Sequence, residues 1–221
     1  MKFENTEVFN FEGALRGMRN PLESWEKSDS GFVMEDGCEV FMLGENDLIL
    51  SQKLIKAGSE HRKFLRQIFV SVDITAPLYW WKEFDTYKVG TVSNSTSTMH
   101  KLASTPITKD CFEMDDFENM DTNGDANCHG CWDLVIFACE GLRQKYNMTK
   151  DKRYWKELIR LLPESWLQKR TITMNYENVL NMYNQRCVHP LSEWSVTFKA
   201  WVESLPYAQE LIFMGGCGWL N

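Results

Sequence analysis

Residues 66–81 read RQIFVSVDITAPLYWW, and this stretch decides the fold class of the chain. Every second residue from Ile68 to Ile74 is apolar, which is the pattern of a strand with one buried face. Pro77 follows the strand and suits the first turn of a helix, whose apolar side then carries Trp80 and Trp81. A strand that leads directly into a helix indicates a mixed protein, and 221 residues suffice for a core.

Further elements are predicted from periodicity and turn residues along the rest of the chain. Asp36-Gly37 is a typical hairpin turn, and Asn46 and Asn175 are predicted to be helix N-caps. An edge strand is expected at 8–14. Helices are predicted at 47–57, 132–146 (with Leu134 inward), 152–162, 175–187 and, from a stripe of large apolar residues, 191–205. We therefore expect one α+β domain over residues 1–221, with a turn-rich N-terminal extension at 1–45 and an acidic insertion loop at 104–127.

Composition narrows the functional classes. The net charge is −7, which disfavours non-specific binding to DNA, because such binding needs a basic face. No apolar run approaches the roughly 18 residues that cross a bilayer, and the N-terminus lacks a signal-peptide pattern. We therefore expect a cytoplasmic protein without a membrane partner. Its seven cysteines are then expected to be thiols.

Two segments resemble metal sites only superficially. Cys128-His129-Gly130-Cys131, with Cys111 upstream, has one C-x-x-C and no second pair at a zinc spacing, which favours idle or buried thiols. Asp121-Thr-Asn-Gly-Asp125 matches only the beginning of a calcium loop, since its glycine and its last carboxylate are misplaced. We expect no metal.

A hydroxyl-rich strip follows the predicted helix at Trp80 and Trp81. All residues from Thr91 to His100 except Val92 and Met99 are Ser, Thr, Asn or His. Such side chains compete with the backbone for hydrogen bonds, so the strip is either a solvated loop or a cradle for a polar ligand.

Two segments of the chain resemble the flavin-dependent thymidylate synthases. In the first, Ala76-Pro77 aligns with an Ala-Pro of some members, which places Thr86-Tyr87-Lys88 on the family's Arg-His-Arg and Thr91 on its serine. Thr96 then falls on a later serine, and Glu60-His61 with Phe64 resembles an element that precedes the strand. The second segment resembles the family's LP, T-x-N-x-R, R and Q-x-E pattern at Leu162-Pro163, Thr173, Asn175, Glu177, Arg186 and Glu193.

The resemblance implies an antiparallel sheet packed with helices and a homotetramer. It implies reductive methylation of dUMP, a transferase reaction in which FAD carries hydride from NADPH and methylene-tetrahydrofolate supplies the carbon. Thr91 takes the catalytic position. The implied flavin contacts are Glu60, His61, Tyr87, Lys88, Asn94, Thr96 and His100, and the implied contacts to a pyrimidine nucleotide are Asn175, Glu177, Arg186 and Glu193.

The departures from the family pattern favour an alternative. Thr86 and Tyr87 replace an arginine and a histidine, and Glu177 replaces an arginine. A carboxylate about 4 Å from a phosphate costs about 4 kcal/mol at an effective dielectric constant near 20. The alternative is a non-catalytic relative that binds a nucleotide or a protein, such as a phage-derived protein. Arg186 then has a purely structural role, paired with Glu177 or Glu193.

Overall fold

The computed structural model describes residues 1–99, 101–114 and 128–214 of the chain. The strand predicted at its centre is β4 (Phe69–Pro77), in which Val70, Val72 and Ile74 are completely buried. β4 belongs to a four-stranded sheet of order β1-β4-β6-β5, whose other strands are β1 (Lys2–Phe9), β6 (Leu167–Asn175) and β5 (Val92–Ser95). The predicted class, α+β with an antiparallel sheet packed with helices, is confirmed.

The contacts of the chain group it into two compact units. Unit 1 consists of Met1–Lys2, Ile74–Thr86 and Asn94–Arg170, and unit 2 consists of Phe3–Asp73, Tyr87–Ser93 and Thr171–Asn221. The boundaries at 73/74 and 170/171 therefore fall inside β4 and β6. The single domain over 1–221 stays a prediction.

Within the residues that the structure describes, unit 1 contains three α-helices. They are α3 (Leu78–Phe84), α4 (Cys128–Thr149) and α5 (Lys152–Leu161). Leu102, Ile107, Phe112, Cys139 and Leu158 form a buried cluster in this unit. Leu134 is 68% exposed, so its predicted inward position is wrong. Most of the expected acidic insertion, residues 115–127, lies outside the described residues, as does the rejected calcium loop.

Unit 2 contains five helices within the described residues and a hairpin. The helices are α1 (Phe11–Arg19), α2 (Glu45–Lys56), α6 (Tyr176–Arg186), α7 (Lys199–Glu203) and α8 (Ala208–Leu211), and the hairpin is β2 (Gly31–Glu35) with β3 (Cys38–Met42). The hairpin turn is the predicted Asp36-Gly37, and both residues have positive φ. The region expected to be a turn-rich extension thus contains β1, α1 and the hairpin. The edge strand expected at 8–14 is wrong, because β1 ends at Phe9 and α1 begins at Phe11.

The two predicted helix caps have different outcomes. Asn175 caps α6 as predicted: its side chain accepts from the Asn178 N–H at 3.0 Å, and the Asn178 side chain accepts from the Asn175 N–H at 3.2 Å. Asn46 does not cap α2, which begins at Glu45. The side chain of Asp29 accepts from the N–H groups of Asn46 and Asp47 instead, at 2.9 and 3.1 Å.

The apolar stripe at 191–205 is core, as expected. Trp194, Phe198 and Val202 are buried, although Glu193–Phe198 forms a π-helical turn before α7 rather than a continuous α-helix. Cys38, Cys111, Cys131 and Cys139 are free, whereas Cys187 is disulfide-bonded. The expectation that every cysteine is a thiol is therefore wrong for Cys187. None of the described helices is both long and apolar enough to span a bilayer.

Candidate functional site

A short loop in unit 2, residues 87–91, is held against the N-terminus of α6. The Asn178 side chain donates a hydrogen bond to the carbonyl oxygen of Val89 at 2.7 Å. Gly90 has φ +78°, and a Cβ atom added there would lie 2.9 Å from Asn175 Nδ2 and 3.1 Å from Asn178 Oδ1. The capping pair of α6 therefore also fixes the loop, and the close approach requires a glycine.

Substituting Gly90 with alanine is expected to lower the free energy of unfolding by about 2–3 kcal/mol, because left-handed strain and a close contact add. Urea denaturation measures the loss. Gly37→Ala is the matched control, since Gly37 has φ +81° and no atom within 4 Å of the added Cβ. Equal losses in the two variants would contradict a role for the contact with the capping pair.

Tyr87, at the start of the loop, holds Arg186 of α6. The Arg186 Nε donates to the Tyr87 hydroxyl at 2.9 Å, and this hydroxyl donates to Gln185 Oε1 at 3.0 Å. The Arg186 guanidinium also lies 5.7 Å from the ring centroid of Tyr87 and 5.3 Å from that of Trp194. Arg186 is thus held by the Tyr87 hydroxyl beside two aromatic rings, whereas Glu177 binds other arginines. The predicted pairing of Arg186 with Glu193 stays a prediction.

Thr91, the predicted catalytic residue, closes the same loop. Its hydroxyl donates to the carbonyl oxygen of Tyr87 at 2.6 Å. The proton of the hydroxyl is engaged within the loop, so the oxygen has only acceptor capacity left for a ligand. Lys88, between these residues, is exposed.

Glu177, on the first turn of α6, binds two arginines that sequence analysis missed. The Arg62 Nε donates to Glu177 at 3.2 Å, Arg66 donates through its Nε and, at 3.4 Å, through its terminal nitrogen, and Arg62 also reaches Asn181 Oδ1 at 3.1 Å. The side chains of Glu177 and Arg62 are 9% and 7% exposed, whereas that of Arg66 is 52% exposed. The hydrogen bond to Glu177 raises the pKa of Arg66 above its usual value. This cluster, Arg62–Glu177–Arg66, carries a net charge of +1.

One signal in the sequence could have indicated this cluster. Arg62 and Arg66 are four residues apart, directly after His61, and side chains at this spacing can contact the same acidic partner.

A groove in unit 2 begins at the exposed arginine of this cluster. Its volume is about 780 Å³, and Glu60, His61, Lys63 and Arg66 contribute polar wall. Met18, Leu22, Leu54 and Phe64 contribute apolar wall. Two predicted flavin residues, Glu60 and His61, therefore lie in one groove with Arg66.

Two further predicted flavin residues, Asn94 and Thr96, belong to unit 1. Thr96 follows β5, and its N–H donates to the Lys169 carbonyl at 2.9 Å while its carbonyl accepts from Gln168 Nε2 at 2.8 Å. The Asn94 and Thr96 side chains are exposed. His100 lies outside the described residues. The flavin role of Asn94, Thr96 and His100 stays a prediction.

The remaining predictions concern Glu193 and the cysteines. Glu193 is buried at the start of the π-helical turn. The side chains of Cys128 and His129 lie outside the described residues, and Cys111 makes weak contacts to Thr108 and to the Pro106 carbonyl. The role of Glu193 stays a prediction.

Structural comparison identifies the fold. No protein-family model matches the sequence, and a comparison with curated proteins gives no match. Two crystal structures of the flavin-dependent thymidylate synthase ThyX from Helicobacter pylori, both with FAD and dUMP, are similar to the chain at 17% sequence identity. Their TM-scores are 0.68 and 0.67, over 96% of this chain and 98% and 97% of theirs. The chain has a ThyX-like fold.

Proposed function

We propose that this chain is a divergent relative of ThyX that binds a pyrimidine nucleotide, with FAD as its cofactor, on the surface of unit 2 formed by the groove and the N-terminus of α6. The full-length likeness to a protein that binds FAD and dUMP supports the proposal. The observation that carries it is the pairing of Glu177 with Arg62 and Arg66.

The pairing removes the electrostatic objection raised by the sequence. An unpaired carboxylate at position 177 would repel a phosphate. Here the two positive charges of Arg62 and Arg66 exceed the single negative charge of Glu177, so the cluster as a whole is positive. Arg66 is half exposed and lies in the groove, so the cluster presents positive charge to a ligand there. Planar guanidinium groups are well suited to phosphate oxygens.

The groove also fits the chemical character of FAD. Arg66, Lys63 and His61 line it on the polar side and suit a diphosphate, and its apolar wall suits a planar ring system. Flavin supplies hydride transfer when bound, and this chain supplies binding and orientation. The finer proposal is the ThyX-type reaction, with Thr91 at the catalytic position, Asn175, Arg186 and Glu193 at the nucleotide, NADPH and methylene-tetrahydrofolate as co-substrates, and a homotetramer.

One observation favours a second candidate, a binding protein without catalysis. The hydroxyl groups of Thr91 and Tyr87 both donate hydrogen bonds within unit 2, where the family pattern has a serine and a histidine. A loop that satisfies its own donors is suited to holding a ligand by shape more than to reacting with it. Both candidate functions require the protein to bind a nucleotide, but only the first requires it to convert dUMP to product.

The binding test compares dUMP, deoxyuridine and FAD by calorimetry and thermal unfolding. A ligand at about 100 times its dissociation constant adds about 2.7 kcal/mol to stability. We expect dUMP to bind better than deoxyuridine, because the phosphate reaches the cluster, and Arg66→Gln to lower the dUMP affinity about tenfold or more.

Lys56→Gln, which removes one exposed charge from α2 outside the groove, is the matched control and keeps full affinity. A purified protein without flavin absorbance that is stabilised neither by dUMP nor by FAD would overturn the proposal. Binding without turnover of dUMP in the presence of NADPH and methylene-tetrahydrofolate would select the second candidate.

A further inference from the structure

The charge of this acidic chain is distributed unevenly. Residues 144–160, which we call the basic hairpin, cover the end of α4, the following turn and most of α5, and contain six basic and two acidic residues. Both acidic residues are already paired inside the hairpin: Asp151 with Arg153 at 2.6 Å and Glu157 with Arg160 at 3.1 Å.

Four exposed lysines of the basic hairpin are available to contact an anionic partner. Within the described part of the chain, no carboxylate lies at ion-pair distance from any of them, and all are exposed: Lys145, Lys150, Lys152 and Lys156. Lys152 and Lys156 are one turn apart on the same face of α5, about 6 Å along its axis.

Aromatic rings lie among these lysines. Lys145 Nζ is 5.9 Å from the ring centroid of Tyr154, and Lys150 Nζ is 5.8 Å from that of Tyr146. These distances allow cation–π attraction, which keeps each ammonium group beside a ring. Two of the four lysines therefore lie beside aromatic rings.

A cleft of about 260 Å³ opens in the same surface. Tyr146, Trp155 and Lys152 line it together with Met99 and Ala103. The Trp155 indole donates to the Met99 carbonyl oxygen at 2.8 Å, which fixes the ring at the cleft. The cleft thus offers two aromatic rings and one ammonium group to a small planar group.

We propose that the basic hairpin binds single-stranded nucleic acid, with phosphates on the four lysines and one unpaired base in the cleft beside Tyr146 and Trp155. Basic tracks with interleaved aromatic rings are how proteins bind single strands without sequence preference, because every unstacked base offers a π-face. Two other anionic ligands match this surface less well. The bases of a duplex stay stacked and cannot enter the cleft, and an acidic peptide would contact the lysines but has no base to place in the cleft.

The net charge of −7 argues against nucleic-acid binding over the whole surface, so contacts are confined to the hairpin. The inference is independent of the proposed function, since all residues of this surface belong to unit 1.

The test measures the fluorescence anisotropy of a labelled oligothymidylate of about 15 nucleotides with the full chain. With four phosphates neutralised, the slope of log affinity against log salt is about −3, which is a loss of about 50-fold from about 50 to 200 mM salt. The double variant Lys152→Gln/Lys156→Gln halves the slope. The control Lys53→Gln/Lys56→Gln makes the same charge change on α2 and leaves affinity and slope unchanged.

Trp155→Leu tests the cleft, with circular dichroism to verify folding. Its affinity is expected to fall about tenfold with an unchanged salt slope, because a stacking contact is lost and no charge is removed. The proposal would be overturned if the two double-lysine variants lost the same affinity, or if a duplex of the same length bound as tightly as the single strand. It would also be overturned if polyglutamate or anionic lipid vesicles competed as well as unlabelled oligothymidylate. The last two results would indicate an acidic protein or a membrane surface instead.

Discussion

Replacing Glu177 by glutamine is expected to lower the free energy of unfolding by about 3–5 kcal/mol, which is the usual result of removing one partner from a buried ion pair. Arg62 is buried and would keep its positive charge without the carboxylate that now accepts from it at 3.2 Å. Arg66 contributes less to the loss, because water reaches half of its side chain. Chemical denaturation with urea, fitted at constant m, measures the change.

Glu157→Gln is the matched control for Glu177→Gln. Glu157 pairs with Arg160 on an exposed helix face, and its loss is expected to cost less than about 1 kcal/mol. The double variant Glu177→Leu/Arg62→Met tests the cause, because it removes both buried charges and should recover part of the stability. If Glu177→Gln costs no more than Glu157→Gln, the cluster does not contribute to stability as argued.

The second large effect is expected at Asp47, on the first turn of α2. We expect Asp47→Asn to lower the free energy of unfolding by about 3–5 kcal/mol. Asp47 is completely buried and accepts from the Arg19 Nε at 2.6 Å. Its other oxygen accepts from the hydroxyl groups of Ser28 and Ser30 at 2.8 and 2.6 Å and from the N–H groups of Asp29 and Ser30 at 3.2 and 3.1 Å. An amide would leave the buried Arg19 without a charge partner and part of these donors unsatisfied.

The effect of Asp47→Asn should depend on pH. Burial raises the pKa of Asp47, but the hydrogen bonds from Ser30, Ser28 and Arg19 outweigh burial, so the pKa lies below its ordinary value of 3.8. A carboxyl group with a lowered pKa stabilises the folded state at pH values above its unfolded pKa, and this stability is lost as the pH falls through the folded pKa.

The stability difference between the wild type and Asp47→Asn is therefore constant from about pH 5 upwards and shrinks below about pH 4. Denaturation at a series of pH values measures it. Asp151→Asn is the control, because asparagine caps α5 equally well and the lost surface ion pair with the exposed Arg153 contributes little to stability at any pH. A difference that does not change with pH would contradict the argument.

Features that depend on neighbours in the sequence were predictable. The alternation in β4 and the capping by Asn175 both arise within a few residues, and both are in the structure. The α+β class followed from such local patterns, whereas the antiparallel sheet was implied by the family resemblance. The same local reasoning failed for α2, because the side chain that caps it comes from Asp29, which lies 17 positions before the predicted cap Asn46.

Features that depend on distant pairs were not predictable. Glu177 and Arg62 are 115 positions apart, so the sequence showed a misplaced carboxylate without its partners. Leu134 was assigned inward from its helical position, although periodicity alone does not determine which face of a long helix is covered. Net charge is a sum over the whole chain, so the value of −7 concealed the local excess of positive charge in the basic hairpin.

The course of the chain between its two units has a consequence for the gene. Each unit is assembled from three separate segments, and four of the five boundaries fall inside strands. A stop codon or a protease cut at 73/74 would therefore divide β4 and separate segments of both units, and one at 170/171 would divide β6 and remove the last segment of unit 2. Neither unit is encoded by one continuous stretch of the gene, so a gene fusion or a domain exchange cannot transfer one unit without part of the other.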